Sequence, residues 1–173
     1  MVFEGATRFP IREGDELTCP PPRSSYGFQK LMDEYAVKSA FAQYKLPCTI
    51  VRPFNACGSG EEPGDGVGDS HVIPDLIKKF RSNNTITILG DGTQVRCFTH
   101  VSDIVDGIVR CVGNQVAINN DFNFVQERNA ISIMNLANLI GKRVHPNRFR
   151  IMTSETTFEN DVRTRVGTSE KAN

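Results

Sequence analysis

The sequence is short of the features that mark several common functions. Its three histidines, His71, His100 and His145, are scattered, with no HExxH and no Cys/His cluster, so no resident metal is expected. The five cysteines (Cys19, Cys48, Cys57, Cys97, Cys111) are odd in number and form no CxxC. They read as reduced thiols in a cytoplasmic protein rather than a disulfide scaffold. No apolar run approaches the roughly 20 residues of a membrane-spanning helix, and nothing at the start reads as a signal peptide. Neither charge is in excess: 20 Lys and Arg balance 20 Asp and Glu. That removes the electrostatic case for nucleic acid or an anionic membrane as a partner. No internal repeat or low-complexity segment is present. The dinucleotide fingerprint GxGxxG is missing too. The glycine-rich stretch from Gly58 to Asp69 comes nearest, but its third glycine position falls on Pro63, and its acidic residues oppose phosphate. It reads as a loop at a ligand cleft.

What is present is an ordinary globular mixture. A chain of 173 residues, 39% hydrophobic and 23% charged, is one domain's worth and can bury a sizeable core. Its organising stretch is Ser24-Ser25-Tyr26-Gly27-Phe28-Gln29-Lys30. Pro20, Pro21 and Pro22 interrupt regular structure before it, and Ser24 or Ser25 can cap a helix start. Leu31, Met32, Tyr35, Ala36, Ala40, Phe41 and Tyr44 then recur at steps of three and four, which predicts an amphipathic helix. Tyr26 and Lys30 share one face of it. A free tyrosine titrates near pH ~10, and an adjacent ammonium favours the phenolate. Bringing that down by about three pH units takes about 4 kcal/mol, which a lysine and a cationic cofactor together would supply. Taken alone, YxxxK equally fits an exposed pair on an ordinary helix.

The remaining pattern alternates strands and helices. Cys48–Phe54 is β-branched and bounded by prolines, hence a short buried strand. Asn55 follows at its carboxyl end, where open α/β sheets place ligands. His71–Phe80 reads as a helix, and Thr85–Leu89 as a strand turned by Gly90-Asp91-Gly92 into a partner, Val95–His100. Ser102 and Asp103 cap a helix, Ile104–Val112, expected to pack in the core. Asp121–Val125 is a second buried strand. Ser132–Ile140 is a helix ended by Gly141, Phe149–Met152 a last strand, and Met1–Phe3 the end of a strand. Lys142, Arg143, Arg148 and Arg150 read as a solvated basic face.

Four stretches stand in a fixed order: SSYGFQK, CTIVRPFNACGSGE, HVIPDLIKKF and ITILGDGTQVRCFTHVSDIVDGIV. Together they resemble the extended short-chain dehydrogenase/reductase family, the NAD-dependent epimerases and dehydratases of nucleotide sugars, and UDP-glucose 4-epimerase-like members in particular. The resemblance runs from about Val2 to Ala172. It implies an α/β fold, the C-terminal part of a doubly wound Rossmann-type fold plus a small α+β substrate-binding lobe. Residues 1–57 and 99–130 would continue the Rossmann sheet, and 58–98 and 131–173 would form the lobe. It implies hydride transfer at a sugar carbon, with Tyr26 as acid/base and Lys30 activating it and holding the nicotinamide ribose. Asn55, His71, Val72, Arg96 and Asp161 would bind the nucleotide sugar, a UDP-sugar for example.

Some positions depart from the family pattern. Certain members carry Asn where this chain has His71, for which a surface histidine is the competing reading. An arginine often stands three before the residue matching Asp161, where this chain has Phe158. The family's catalytic Ser/Thr falls just before the segment that Val2-Phe3 resembles, and its NAD-binding half earlier still. The expectation is therefore a chain that keeps the second half, binds no NAD alone and is inactive by itself. It would form a homodimer or join a complementary NAD-binding half. A non-catalytic nucleotide-sugar binder or assembly fragment is the alternative.

Overall fold

The computed structural model describes residues 2–64, 71–156 and 162–173. Its elements in order are a 3-10 turn Asp15–Leu17, α1 Ser25–Tyr44, β1 Thr49–Pro53, β2 Ala56–Cys57, α2 Val72–Ser82, β3 Thr85–Leu89, β4 Val95–Cys97, β5 Thr99–His100, α3 Val101–Cys111, β6 Asn120–Phe124, a second 3-10 turn Glu127–Asn129, β7 Ala130–Ser132, α4 Ile133–Val144, β8 Arg150–Ser154 and β9 Thr164–Arg165. This is a mixed α/β chain with parallel strand pairs. No helix of the described residues is long and apolar enough to cross a membrane. The chain divides into two compact units, the first Met1–Ala56, Cys97–Ala130 and Arg165–Asn173, the second Cys57–Arg96 and Ile131–Thr164.

In the first unit β1 and β6 pair in parallel, from Thr49 beside Asn120 to Pro53 beside Phe124. The core gathers Val2, Phe3, Ile11, Phe54, Cys97 and Val125, with the Phe3 and Phe54 rings stacked at 6.4 Å. Val2 and Phe3 are buried but sit in a turn, closed by the Ala6 N–H on the Phe3 carbonyl, and not at a strand end. The terminal residues 165–173 belong here because Gly167 bridges Ile11 and the Thr168 N–H reaches the Ile11 carbonyl. Two helices differ from expectation. In α1 the buried residues are Gly27 and Glu34, while Phe28, Met32, Tyr35 and Tyr44 stay exposed. The cause is that α1 docks through a glycine contact, an ion pair and half-buried Leu31 against the core, not through the full apolar stripe. In α3 only Ile104 is buried; Val105 and Val109 face solvent, as does Val112 just beyond its end. It approaches β6 through Gly107, where a Cβ would lie 2.9 Å from the Phe124 ring.

The second unit repeats one arrangement, a helix running into a strand: α2 into β3, α4 into β8. The strands are parallel, Thr85 beside Arg150 through Leu89 beside Ser154. The hairpin expected between Thr85–Leu89 and Val95–His100 does not form. Gly90 and Gly92 both take left-handed φ, +70° and +75°, and the Asp91 carboxylate accepts from the Thr93 N–H and hydroxyl. This side-chain-closed turn leads the chain away from β3, and the Val95 N–H goes instead to the Arg163 carbonyl. Gly141 does not end α4, which continues to Val144. Its lack of a side chain serves packing, since a Cβ there would lie 2.7 Å from the Phe149 ring and 2.9 Å from Phe80.

Candidate active site

The start of α1 is fixed by a short network. The Ser24 hydroxyl accepts from the Gly27 N–H at 3.0 Å and donates to Glu4 at 2.6 Å. Glu4 also accepts the N–H groups of Arg23 and Ser24, each at 3.2 Å. Burial would raise the Glu4 carboxyl, but these bonds outweigh it and hold it below its ordinary range. Gly27 is sterically required: a Cβ would meet Pro22 at 2.7 Å, Glu4 at 2.9 Å and Ser24 at 3.0 Å. On this fixed first turn Tyr26 is 59% exposed. The Lys30 ammonium lies 5.9 Å from the Tyr26 ring centroid and 3.5 Å from Asp33. The two side chains thus share one face, as the four-residue spacing predicts, with the tyrosine exposed.

One turn further along α1, Glu34 enters a buried charge network that sequence reasoning missed. Arg52 of β1 grips Glu34 through two bonds of 2.7 Å. The same guanidinium lies 3.4 Å from Glu16 and 2.7 Å from Asp121, and 5.2 Å from the Phe3 ring centroid. Lys38 pairs with Glu16 at 2.8 Å and Lys171 with Asp121 at 2.9 Å. Burial would raise the Glu16 and Asp121 carboxyls. For Glu16 the bond from Lys38 and the charge of Arg52 outweigh burial, and for Asp121 the bonds from Lys171 and Arg52 do so; both stay below the carboxylate range. The Arg52 guanidinium, although buried, is held more firmly charged by Glu34, Glu16 and Asp121. The available signal was the continuation of the Tyr26–Lys30 face at the same step, through Glu34 and Lys38.

Arg52 stands three residues before Asn55, so this network ties the helix of Tyr26 to the strand that ends at Pro53, two residues before Asn55. Asn55 takes a positive φ of 40°. Its side-chain amide donates to the Cys97 carbonyl at 2.7 Å and its own carbonyl accepts from the Thr99 N–H at 3.2 Å. As placed, Asn55 braces the end of β1.

The other expected ligand residues lie in the second unit. His71 precedes α2 with its ring exposed and Nδ1 against Glu61. Val72 opens the helix, half-buried. Arg96 on β4 is half-buried and donates to the carbonyls of Val95 at 2.9 Å and Arg163 at 3.4 Å. Arg163 in turn reaches Asp91 and Thr93. Asp161 lies outside the described residues.

Residues 2–125 match the model of the NAD dependent epimerase/dehydratase family. An uncharacterized UDP-glucose epimerase of Bacillus subtilis is 31% identical over 125 residues, 72% of this chain and 37% of that protein. The solved structure of Pal from Bacillus thuringiensis superposes with a TM-score of 0.82 at 28% identity, covering 99% of this chain and 52% of that one. MoeE5, solved in complex with UDP-glucuronic acid and NAD, gives 0.79 at 26% identity, with 99% and 54% covered. The chain thus spans about half the length of these solved relatives and less of the curated one. With most of its length matched in sequence and nearly all of it in fold, the chain belongs to the NAD-dependent epimerase/dehydratase family.

Proposed function

We propose that this chain supplies the acid/base pair and the nucleotide-sugar contacts of an NAD-dependent epimerase or dehydratase, of the 4-epimerase type acting on a UDP-sugar. The observation that carries it is the Tyr26–Lys30 pair, open to a ligand on a helix start locked by Ser24 and Glu4. NAD, when bound, supplies the acceptor and donor of hydride at the sugar carbon. Tyr26 takes the proton of the sugar hydroxyl and returns it. Lys30 favours the phenolate and offers its ammonium to the nicotinamide ribose. This donor pair fits the ribose end of that cofactor, whereas the sequence holds no GxGxxG for its pyrophosphate. By itself the chain therefore binds no NAD and is inactive until a dinucleotide-binding half is supplied.

Arg96 is the diphosphate contact, its planar fork suited to phosphate oxygens. Asn55, His71, Val72 and Asp161 complete the nucleotide-sugar set. The likeness to MoeE5, solved with a UDP-sugar and NAD, supports both ligands. A nucleotide-sugar binder or assembly fragment without catalysis is the second reading, favoured by the missing fingerprint.

Calorimetric titration tests this. UDP-glucose is expected to bind weakly, and Arg96→Ala to weaken it by about 1.5–3 kcal/mol, the worth of a charge-assisted bond. NAD is expected to give no heat. Unchanged UDP-glucose binding in Arg96→Ala removes the site assignment. A low-micromolar NAD site, or turnover by this chain with NAD that is lost in Tyr26→Phe, removes the view that it is inactive alone.

A further inference from the structure

The second unit gathers five of its cations at one end. Because α2 and α4 each run into one of two parallel strands, both helix C-termini and both strand starts lie together. A knot of Phe80, Gly141, His145 and Phe149 closes that end. The Phe80 ring centroid is 6.3 Å from His145 and 5.8 Å from Phe149. The His145 Nε2 donates to the Phe80 carbonyl at 2.5 Å. Gly141 is in close contact with both phenylalanines. Arg81, Lys142, Arg148 and Arg150 are immediate chain neighbours of these knot residues, and Arg143 follows Lys142. With the knot side chains turned inward, the five cations ring it, all exposed. Among the described residues none of the five side chains has a hydrogen bond or an ion pair.

The described acidic residues of this unit lie at its other end. Glu61 and Glu62 precede α2, Asp75 is in its first turn, and Asp91 and Glu155 follow β3 and β8. Three are already engaged, Glu61 with His71, Asp75 with Lys79 and Asp91 with Arg163, so a second copy of this end supplies little counter-charge. The helix dipoles favour Arg81, Lys142 and Arg143 in the last turns. They do not reach Arg148 and Arg150, which lie beyond those turns.

We propose that this end of the second unit docks an acidic polypeptide segment. Four of the five cations are arginines, whose forks take carboxylates two bonds at a time. Leu139, 65% exposed, precedes Lys142 and Arg143 by three and four positions on α4 and shares their face. It offers an anchor for an apolar residue of the segment. Nucleic acid fits less well. Phe80 is buried and the Phe149 ring meets it edge-on, so neither is offered to stack a base, and a chain of zero net charge gives a long polyanion no general attraction. The surface is independent of the nucleotide-sugar reading and survives its failure.

The test is fluorescence anisotropy with a labelled glutamate-rich peptide carrying a central leucine, run beside a DNA duplex and phosphatidylserine vesicles. The peptide is expected to bind, more weakly as salt rises. The triple variant Arg143→Gln, Arg148→Gln, Arg150→Gln should lose about tenfold in affinity, the sum of three exposed pairs, with an unchanged far-ultraviolet dichroism spectrum. Leu139→Ala should lose affinity as well, and Lys79→Gln, whose cation is already paired, should not. Should the triple variant unfold, Arg148→Gln in the loop carries the decision, with a smaller loss expected. No peptide binding at low salt, unchanged affinity in the folded arginine variant, or tighter binding of duplex or vesicles overturns the proposal.

Discussion

Arg52→Met probes how the helix bearing Tyr26 is held. The side chain is 6% exposed and faces three carboxylates. Its loss is not shared evenly. Glu16 keeps Lys38 at 2.8 Å and Asp121 keeps Lys171 at 2.9 Å. Glu34, buried on the inner face of α1, has Arg52 as its one bonded cation among the described residues. Removing one partner of such a pair costs about 3–5 kcal/mol, chiefly the burden of the carboxylate left behind. Replacing both partners removes that burden, so Arg52→Met with Glu34→Leu should be far less destabilised than the sum of the singles, with a coupling above about 1 kcal/mol. Urea unfolding at neutral pH, followed by far-ultraviolet dichroism, gives the four free energies of the cycle. A cost below about 1 kcal/mol for Arg52→Met, or an additive cycle, would refute the claim that this pair docks α1 on β1.

Two further outcomes follow from the same unit. Glu16 and Asp121 have folded carboxyl affinities below their unfolded value of about 4; their contribution is present above that value and is lost as pH falls through the depressed folded one. An acid titration should therefore show stability falling below about pH 4, and Lys38→Gln should move the acid midpoint upward; coincident midpoints would contradict it. In association, among the described residues β1 pairs on one edge only, with β6, and α1 and α3 leave Met32, Tyr35, Tyr44, Val105 and Val109 exposed. Light scattering across a dilution series should show self-association, or assembly with a dinucleotide-binding half where one is supplied; a monodisperse monomer at high micromolar concentration that unfolds cooperatively would overturn this.

Local chemistry was legible wherever it acts over a few residues. Ser24 or Ser25 reads as a cap from its place after the proline run, and Ser24 is the one that caps. Tyr26 and Lys30 share a face because a helix brings fourth neighbours together, whatever surrounds it. The strands at Thr49–Pro53 and Thr85–Leu89 announce themselves by β-branched and apolar runs between breakers. Pairing was not legible. The turn Gly90-Asp91-Gly92 satisfies the chemistry of a hairpin, yet β3 takes β8 as its partner, more than sixty residues on, because a strand's edge is indifferent to sequence distance. Gly141 carries the mark of a helix stop and is instead the gap that admits Phe80 and Phe149.

Burial divided the same way. An apolar residue at helical spacing looks like core, but α1 buries Glu34 while Tyr35 stays exposed, because the partner waiting on β1 is an arginine. The sequence by itself determined where the helices α1 to α4 and the strands β1, β3, β6 and β8 fall, the capped helix start and the tyrosine–lysine spacing, since these depend on backbone geometry within a turn or two. Only the tertiary structure decided which strands pair, which glycines are contacts, and that Arg52, Glu34, Glu16 and Asp121 meet. Those outcomes depend on surfaces brought together from distant parts of the chain, where complementarity of shape and charge, rather than local propensity, sets the free energy.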